Sequence, residues 1–194
     1  MSTETTVTSR TVNGVEYPAV GTYVIDPSHS ELGFAVRHLA VSKVRGRLST
    51  FEGTLELAED PTRSKASVTI DATSVDTREE TRDNHLRTND FFDVENHPSW
   101  TFTSTSIKAE SPTEFKVVGD LTIRGVTKPV TLHVTYEGVV QDPWGNHRVG
   151  FSGSTSINRD EFGVSFGAVA DASGSILLAK KVDIQIELEA VLQA

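Results

Sequence analysis

The fold is organised around residues 74–100, which read SVDTREETRDNHLRTNDFFDVENHPSW. This is the only segment whose pattern is neither that of a strand nor that of a turn. Thr77 and Glu80 have the spacing of a capping box, in which the two side chains satisfy the first free amides of a helix. Pro98 stops any helix and returns the chain to an extended conformation. The segment therefore predicts one helical insertion in an otherwise all-β chain.

On both sides of this insertion, apolar and polar residues alternate with the period of two that is typical of β-strands. The last such segment is the clearest, with Val182, Ile184 and Ile186 on one face. In another segment the parity changes near residues 49–50, which predicts a bend. Eight such segments predict an eight-stranded antiparallel barrel, because closing the sheet removes its exposed edges. A two-sheet sandwich made from the same strands is the alternative.

Length and composition narrow the class of protein. The chain has 194 residues, which suits one domain with a core of its own. The net charge is −9 and the basic residues form no block, so a nucleic-acid partner is excluded. Cysteine is absent and the histidines show no metal-ligand spacing, so neither a metal site nor a cofactor is expected.

The two ends of the chain set the expected domain boundaries. Residues 1–20 are rich in Ser and Thr and are expected to be a flexible tail, with the barrel domain covering residues 21–194. The first residues lack the basic and apolar regions of a secretory signal, and no apolar run approaches the length of a membrane span. A cytoplasmic protein is therefore expected.

The inner face of the predicted barrel is apolar, and His38 is its one evident titratable residue. A catalytic interior would bring several polar groups to one point, whereas an apolar interior suits an apolar guest. The inner face also mixes small residues, such as Gly46 and Gly119, with large ones, which fits either a hollow lumen or an interdigitated core. Because most small barrels are packed solid, the pattern by itself favours the filled core.

Four motifs in order resemble those of the YceI family of polyisoprenoid-binding proteins. They are DPSHS at 26–30 followed by LGFAVRH at 32–38, RDNHL at 82–86 followed by NDFFD at 89–93, GDLTIRGVT at 119–127, and INRDEFG at 157–163. The resemblance covers about residues 21–192. It implies an all-β fold, an eight-stranded antiparallel lipocalin-like β-barrel with one helical insertion. It also implies an isoprenoid chain in the lumen and no established enzymatic reaction.

The expected function is that of a soluble lipid-binding protein that sequesters or carries a polyisoprenoid, either a polyprenyl phosphate or diphosphate or a prenylated quinone. The residues expected to face this ligand are Phe34, Val36, His38, Phe51, Phe91, Phe92, Phe102, Leu132 and Phe151. Arg82 is expected either to form a structural ion pair with Asp83 or to contact the lipid headgroup. Transient membrane contact and a homodimer are further expectations.

Two alternatives remain open from the sequence. The first is an enzyme that acts on an isoprenoid lipid, with His38 and Arg82 beside a diphosphate. The second is an interaction or stress-response protein with a solid barrel and no ligand. In a filled barrel, His38 and the phenylalanines would be ordinary core residues. The lipid-carrier and filled-core interpretations therefore assign different roles to the same residues. A measurable lumen separates the second alternative from a lipid carrier.

Overall fold

The computed structural model describes residues 9–167 and 177–193, and in these ranges strands predominate. The strands are β1 (Ser9–Val12), β2 (Val15–Pro18), β3 (Gly21–Ile25), β4 (Glu31–His38), β5 (Ser42–Leu48), β6 (Phe51–Leu57), β7 (Lys65–Asp71), β8 (Val75–Asp76), β9 (Ser99–Ala109), β10 (Glu114–Ile123), β11 (Val126–Gln141), β12 (His147–Asn158) and β13 (Leu178–Leu192). The α-helix described is α1 (Glu80–Arg87), and short 3-10 helices cover Pro27–His29, Pro61–Arg63, Ala72–Ser74 and Arg159–Phe162.

The main sheet closes on itself as a barrel of eight antiparallel strands. Three of these strands consist of two segments each, which are β3 with β4, β5 with β6, and β7 with β8. Strand order around the barrel follows chain order. The barrel closes because β13 pairs with β12 on one side and with β3 and β4 on the other. The predicted eight-stranded barrel with one helix is confirmed, and the sandwich alternative is wrong.

The bend predicted near residues 49–50 is the break between β5 and β6. There the amides of Ser49 and Thr50 leave the strand ladder and donate to the carbonyl and hydroxyl of Ser74, at 3.2 and 3.0 Å. Ser74 belongs to the 3-10 turn that separates β7 from β8. The two neighbouring strands are therefore interrupted at the same height, directly before the chain enters α1.

The helix α1 begins later than the capping box predicts. Its N-cap is Glu79, whose carboxylate accepts hydrogen bonds from the amides of Thr81 and Arg82 at 3.1 and 2.6 Å. Thr77 instead donates its hydroxyl and its amide to the buried carboxylate of Asp83. The predicted cap at Thr77 is wrong because Arg78 has a φ of 63°, which turns the chain between Thr77 and the helix.

An N-terminal hairpin, β1–β2, lies across the end of the barrel opposite α1. The Tyr17 hydroxyl donates to the carbonyl of Pro112, and the Tyr136 hydroxyl donates to that of Glu16 at 2.6 Å. Residues 9–18 therefore do not form the flexible tail expected over residues 1–20, whereas residues 1–8 lie outside the described ranges. The overlooked signal is Asn13-Gly14, a favoured two-residue hairpin turn, which the Ser- and Thr-rich composition of residues 1–20 obscures.

Candidate functional site

An apolar cavity of about 930 Å³ occupies the barrel, and all eight strands contribute to its wall. Cavities that hold small molecules typically measure about 300–1,000 Å³, so this lumen lies near the top of that range. The filled-core interpretation of the sequence is therefore wrong for the residues that the structure describes. The solid-barrel alternative, which depends on that interpretation, loses its structural basis.

The structure brings all the predicted ligand-facing residues to this one lumen. Phe51, Phe91 and Phe102 are buried, and the others are half-buried because they border the cavity. The full set that lines the lumen, with Arg82 included, is Phe34, Val36, His38, Phe51, Phe91, Phe92, Phe102, Leu132, Phe151 and Arg82. Period-two alternation was sufficient to place the strand residues of this set on the inner face, whereas Arg82, Phe91 and Phe92 come from the helical insertion, where no alternation applies.

Two pairs of a glycine and an aromatic residue explain how the lumen stays open. A Cβ atom on Gly46 would lie 2.5 Å from Cζ of Phe34, which faces it across the β4–β5 pairing. A Cβ atom on Gly119 would overlap the ring of Phe102 in the same way. Each ring therefore lies along the wall, in the space that a side chain on the neighbouring strand would fill. At these two positions the glycine makes room for an aromatic ring that lies against the wall. Small inner residues therefore do not indicate a filled core here.

Arg82 lies at the α1 end of the lumen, where Thr77 holds its guanidinium. Nε donates to the Thr77 hydroxyl at 2.7 Å, and Nη2 donates to the Thr77 carbonyl at 2.9 Å. The expected ion pair between Arg82 and Asp83 does not form, because both side chains bind Thr77 instead. Within the described ranges, the Arg82 guanidinium donates hydrogen bonds to Thr77 alone, through Nε and Nη2, and Nη1 donates none.

An aromatic cluster borders the lumen beside Arg82. The rings of His85, Phe91 and Phe166 lie 5.0–5.1 Å apart, centroid to centroid. His85 also contacts Asp90, with 2.8 Å between Nε2 and a carboxylate oxygen. Phe166 is 39% exposed, so the cluster reaches from the lumen wall to the surface.

Arg159 is a buried cation that sequence reasoning missed. It is 6% exposed and donates to the carbonyls of Val164 and Phe166 in one segment, and of Leu178 and Ala179 in β13, at 2.8–3.1 Å. Burial lowers the pKa of its guanidinium. Arg159 thus ties together two segments that border the lumen. It lies in the INRDEFG motif, but nothing in the alternation pattern indicates that its side chain turns inward.

The opposite end of the lumen is bordered by the N-terminal hairpin. Arg10, Tyr17 and Pro18 line the cavity there. The Tyr17 ring stacks on Tyr136 with centroids 5.7 Å apart, and the Arg10 guanidinium lies 5.8 Å from the Tyr17 centroid. Burial raises the pKa of Tyr136 to about 12, so its hydroxyl keeps the proton that it donates to Glu16. The hairpin therefore forms a floor to the lumen.

One group of side chains outside the lumen has the composition of a cation site. Ligand atoms of Asp26, His29 and Glu189 lie within 4.8 Å of one another. Arg148 already contacts Asp26 and Glu189 through Nη1, at 2.8 and 2.6 Å, and Asp142 through Nε. Hydrogen bonds from Ser28 and then Arg148 hold the pKa of Asp26 well below its usual range. The guanidinium therefore already supplies the positive charge that these carboxylates need.

Comparison with known proteins agrees with this architecture. The sequence model of the family described as "YceI-like domain" matches residues 23–190. Protein YceI of Escherichia coli O157:H7 is 40% identical over 174 residues, which cover 88% of this chain and 87% of that protein. The hairpin of residues 9–18 lies outside the range that the family model matches.

Two solved structures show the same fold. The crystal structure of a Campylobacter jejuni YCEI protein has a TM-score of 0.71 and 31% identity, and the match covers 81% of this chain and 90% of that one. A polyisoprenoid binding domain from Saccharophagus degradans has a TM-score of 0.70 over 90% of this chain and 100% of its own, with 14% identity. At that identity the second likeness is one of fold alone. Within the described ranges, no helix has the length and apolar character needed to cross a membrane.

Proposed function

Because this chain belongs to the YceI-like domain family, we propose that it binds a polyisoprenoid lipid in the barrel lumen and carries or sequesters it. The observation that supports the proposal most is the apolar cavity of about 930 Å³ that the eight strands enclose. The solved domain of the same fold from Saccharophagus degradans is described as polyisoprenoid binding. The proposed ligands are a polyprenyl phosphate or diphosphate, or a prenylated quinone.

The physical basis of binding is the removal of an insoluble tail from water. Burying one CH₂ group contributes about 0.8 kcal/mol, so a five-carbon prenyl unit gives a gross gain of roughly 3–4 kcal/mol. About eight such units would pass the practical ceiling of non-covalent affinity, near 18–21 kcal/mol, before the costs of ordering the chain. We therefore expect the length of the lumen, and not affinity alone, to determine which tail length binds.

We propose that the polar end of the lipid lies at the α1 end of the lumen. Thr77 pre-orients the Arg82 guanidinium there, and within the described ranges Nη1 makes no hydrogen bond and could donate to a phosphate or a quinone oxygen. His38 lines the same lumen from β4 and is the proposed second polar contact. We propose binding rather than catalysis, because the remaining wall is apolar and two of the Arg82 nitrogens are already engaged.

The N-terminal hairpin would then set the maximum length of the tail. We expect deletion of residues 1–18 to let longer chains bind, because Tyr17 and Pro18 no longer close the far end. The measurement is native mass spectrometry after loading with a mixture of polyprenols of graded length. Deletion of residues 1–8 alone, which leaves the hairpin of residues 9–18 in the chain, is the control and should keep the wild-type distribution. If the deletion variant binds the same range of polyprenol lengths as the wild type, the hairpin does not limit the length of the bound tail.

Organic extraction of the purified protein tests the proposed function. Mass spectrometry of the extract is expected to show an isoprenoid lipid, and its headgroup will distinguish phosphate from quinone. An extract that contains no isoprenoid, from protein that also takes none up from vesicles, would refute the proposal.

A further inference from the structure

The turn between β4 and β5 is an exposed apolar point at the α1 end of the barrel. Leu39 is 42% exposed, Val41 is 82% exposed, and Ala40 between them is also exposed. The amide of Leu39 donates to the carbonyl of Leu177, whose own side chain is 39% exposed. Three consecutive side chains of this turn therefore present apolar surface to water, next to the start of β13.

The backbone of this turn is unfavourable for the residues that occupy it. Leu39 and Ala40 have φ values of 48° and 58°, the left-handed conformation at both central positions of the turn. Asn-Gly is strongly favoured in such a turn, because these residues tolerate positive φ. The chain follows this preference at Asn13-Gly14 and places a glycine second at Arg124-Gly125. The apolar side chains of this turn occupy positions where they strain the backbone. Such strain is a basis for inferring that the side chains have a functional role.

Basic side chains surround the turn, although the chain as a whole has a net charge of −9. Residues 37–45 contain no carboxylate. Asp183 lies 3.1 Å from Lys43 and 3.2 Å from Lys181, and Asp160 lies 2.9 Å from Lys180. Among the described residues of these strands, positive charge therefore remains in excess. The exposed cations are Arg37, Lys43, Arg45, Lys180 and Lys181.

The turn also lies directly beside the lumen. His38 and Ser42, the residues that flank it, both line the cavity, as does Leu177. Whatever contacts the turn is therefore brought to the α1 end of the lumen, where we placed the polar end of the lipid.

We infer that the β4–β5 turn docks the protein on an anionic membrane, with its apolar side chains inserted below the headgroups and the surrounding cations on the lipid phosphates. The inference rests on the proposed function, because it describes how a membrane lipid reaches the lumen. A tail that leaves the bilayer at this point enters an apolar wall without crossing water. The turn projects from the barrel, with apolar side chains at its tip and cations on either side. This arrangement suits insertion into an anionic bilayer better than docking into a groove on another protein.

Vesicle co-sedimentation tests the inference, with phosphatidylcholine and phosphatidylglycerol in equal parts against phosphatidylcholine alone. The wild-type protein is expected to bind the anionic vesicles. Leu39→Asn/Ala40→Gly/Val41→Thr should reduce binding about tenfold or more, since it removes the inserted side chains. The Asn-Gly pair suits this turn, so the variant should be at least as thermally stable as the wild type.

Two further variants separate the contribution of the surrounding cations from that of exposed apolar residues elsewhere on the barrel. Arg37→Gln/Arg45→Gln should weaken binding about fivefold for each charge removed, with no effect on phosphatidylcholine vesicles. The control Val140→Thr/Trp144→Ser removes side chains that are 61% and 81% exposed at the hairpin end, and it should bind as the wild type does.

The inference is overturned if the wild type does not bind anionic vesicles, or if the turn variant binds them equally well. A dimer that depends on the turn, with no vesicle binding, would instead identify a second copy of the chain as the partner. Organic extraction of the same samples separates the two proposals. Protein without lipid that still binds vesicles through the turn would refute only the proposed function, and lipid-loaded protein with a dispensable turn would refute only this inference.

Discussion

Ala66→Trp is expected to exclude lipid from the lumen while the barrel stays folded. Ala66 lies on β7, lines the cavity, and pairs with Leu55 across the β6–β7 ladder. A tryptophan there projects across the space that the tail would occupy. Because the side chain enters a cavity and not a packed core, the overpacking that usually destabilises such variants is avoided. We expect bound lipid, measured by native mass spectrometry, to fall about tenfold or more.

The matched control is Ser67→Trp, one residue along the same strand. Successive side chains on a strand point to opposite faces, and Ser67 is exposed on the outside of the barrel. This variant adds the same side chain and should keep its lipid. If Ala66→Trp retains a full complement of lipid while its circular dichroism matches the wild type, the lipid does not occupy the lumen.

Arg159→Met is expected to cause a large loss of stability. The side chain is 6% exposed, and its guanidinium is the hydrogen-bond partner of four carbonyls. A methionine leaves these acceptors unpaired, which we expect to lower the free energy of unfolding by about 2–4 kcal/mol. For a chain of this length the midpoint of thermal unfolding should fall by about 4–16 °C. Scanning calorimetry measures both quantities.

Two variants show whether the buried hydrogen bonds are the cause. Arg159→Lys keeps the positive charge but cannot reach four acceptors, so the decrease in its free energy of unfolding should be intermediate. Arg37→Met removes an exposed arginine that donates to a single carbonyl, that of Ala40, and its stability should match the wild type. An Arg159→Met protein as stable as the wild type would mean that the two segments hold together without this side chain.

The inner face of the barrel could be predicted because a strand has a period of two. The alternation of Phe34, Val36 and His38 fixes which side chains share a face, whatever the neighbouring strands do. Whether that face encloses a lumen could not be predicted in the same way. The open space depends on Phe34 lying over Gly46 and Phe102 over Gly119, and these contacts follow from the register between strands. Register is a tertiary property that one sequence does not display.

The errors at the two ends of the barrel have different origins. The capping box at Thr77 is a local signal, and a tertiary contact overrides it, because Thr77 binds Asp83 and Arg82 instead. The hairpin of residues 9–18 does carry a local signal, the Asn13-Gly14 turn, which its Ser- and Thr-rich surroundings obscured. The contacts of Tyr17 and Tyr136 hold the hairpin in place. The role of Arg159 likewise becomes visible only in the folded chain, because two of its four acceptors, the carbonyls of Leu178 and Ala179, are about 20 residues away and are brought to it by β13.

Native mass spectrometry of the wild-type protein tests the central claim most directly. The account predicts a species heavier than the bare chain by the mass of one isoprenoid lipid, which is lost in Ala66→Trp and kept in Ser67→Trp. A wild-type protein that shows only the mass of the bare chain, even after incubation with polyprenyl phosphate and prenylated quinone, would contradict it.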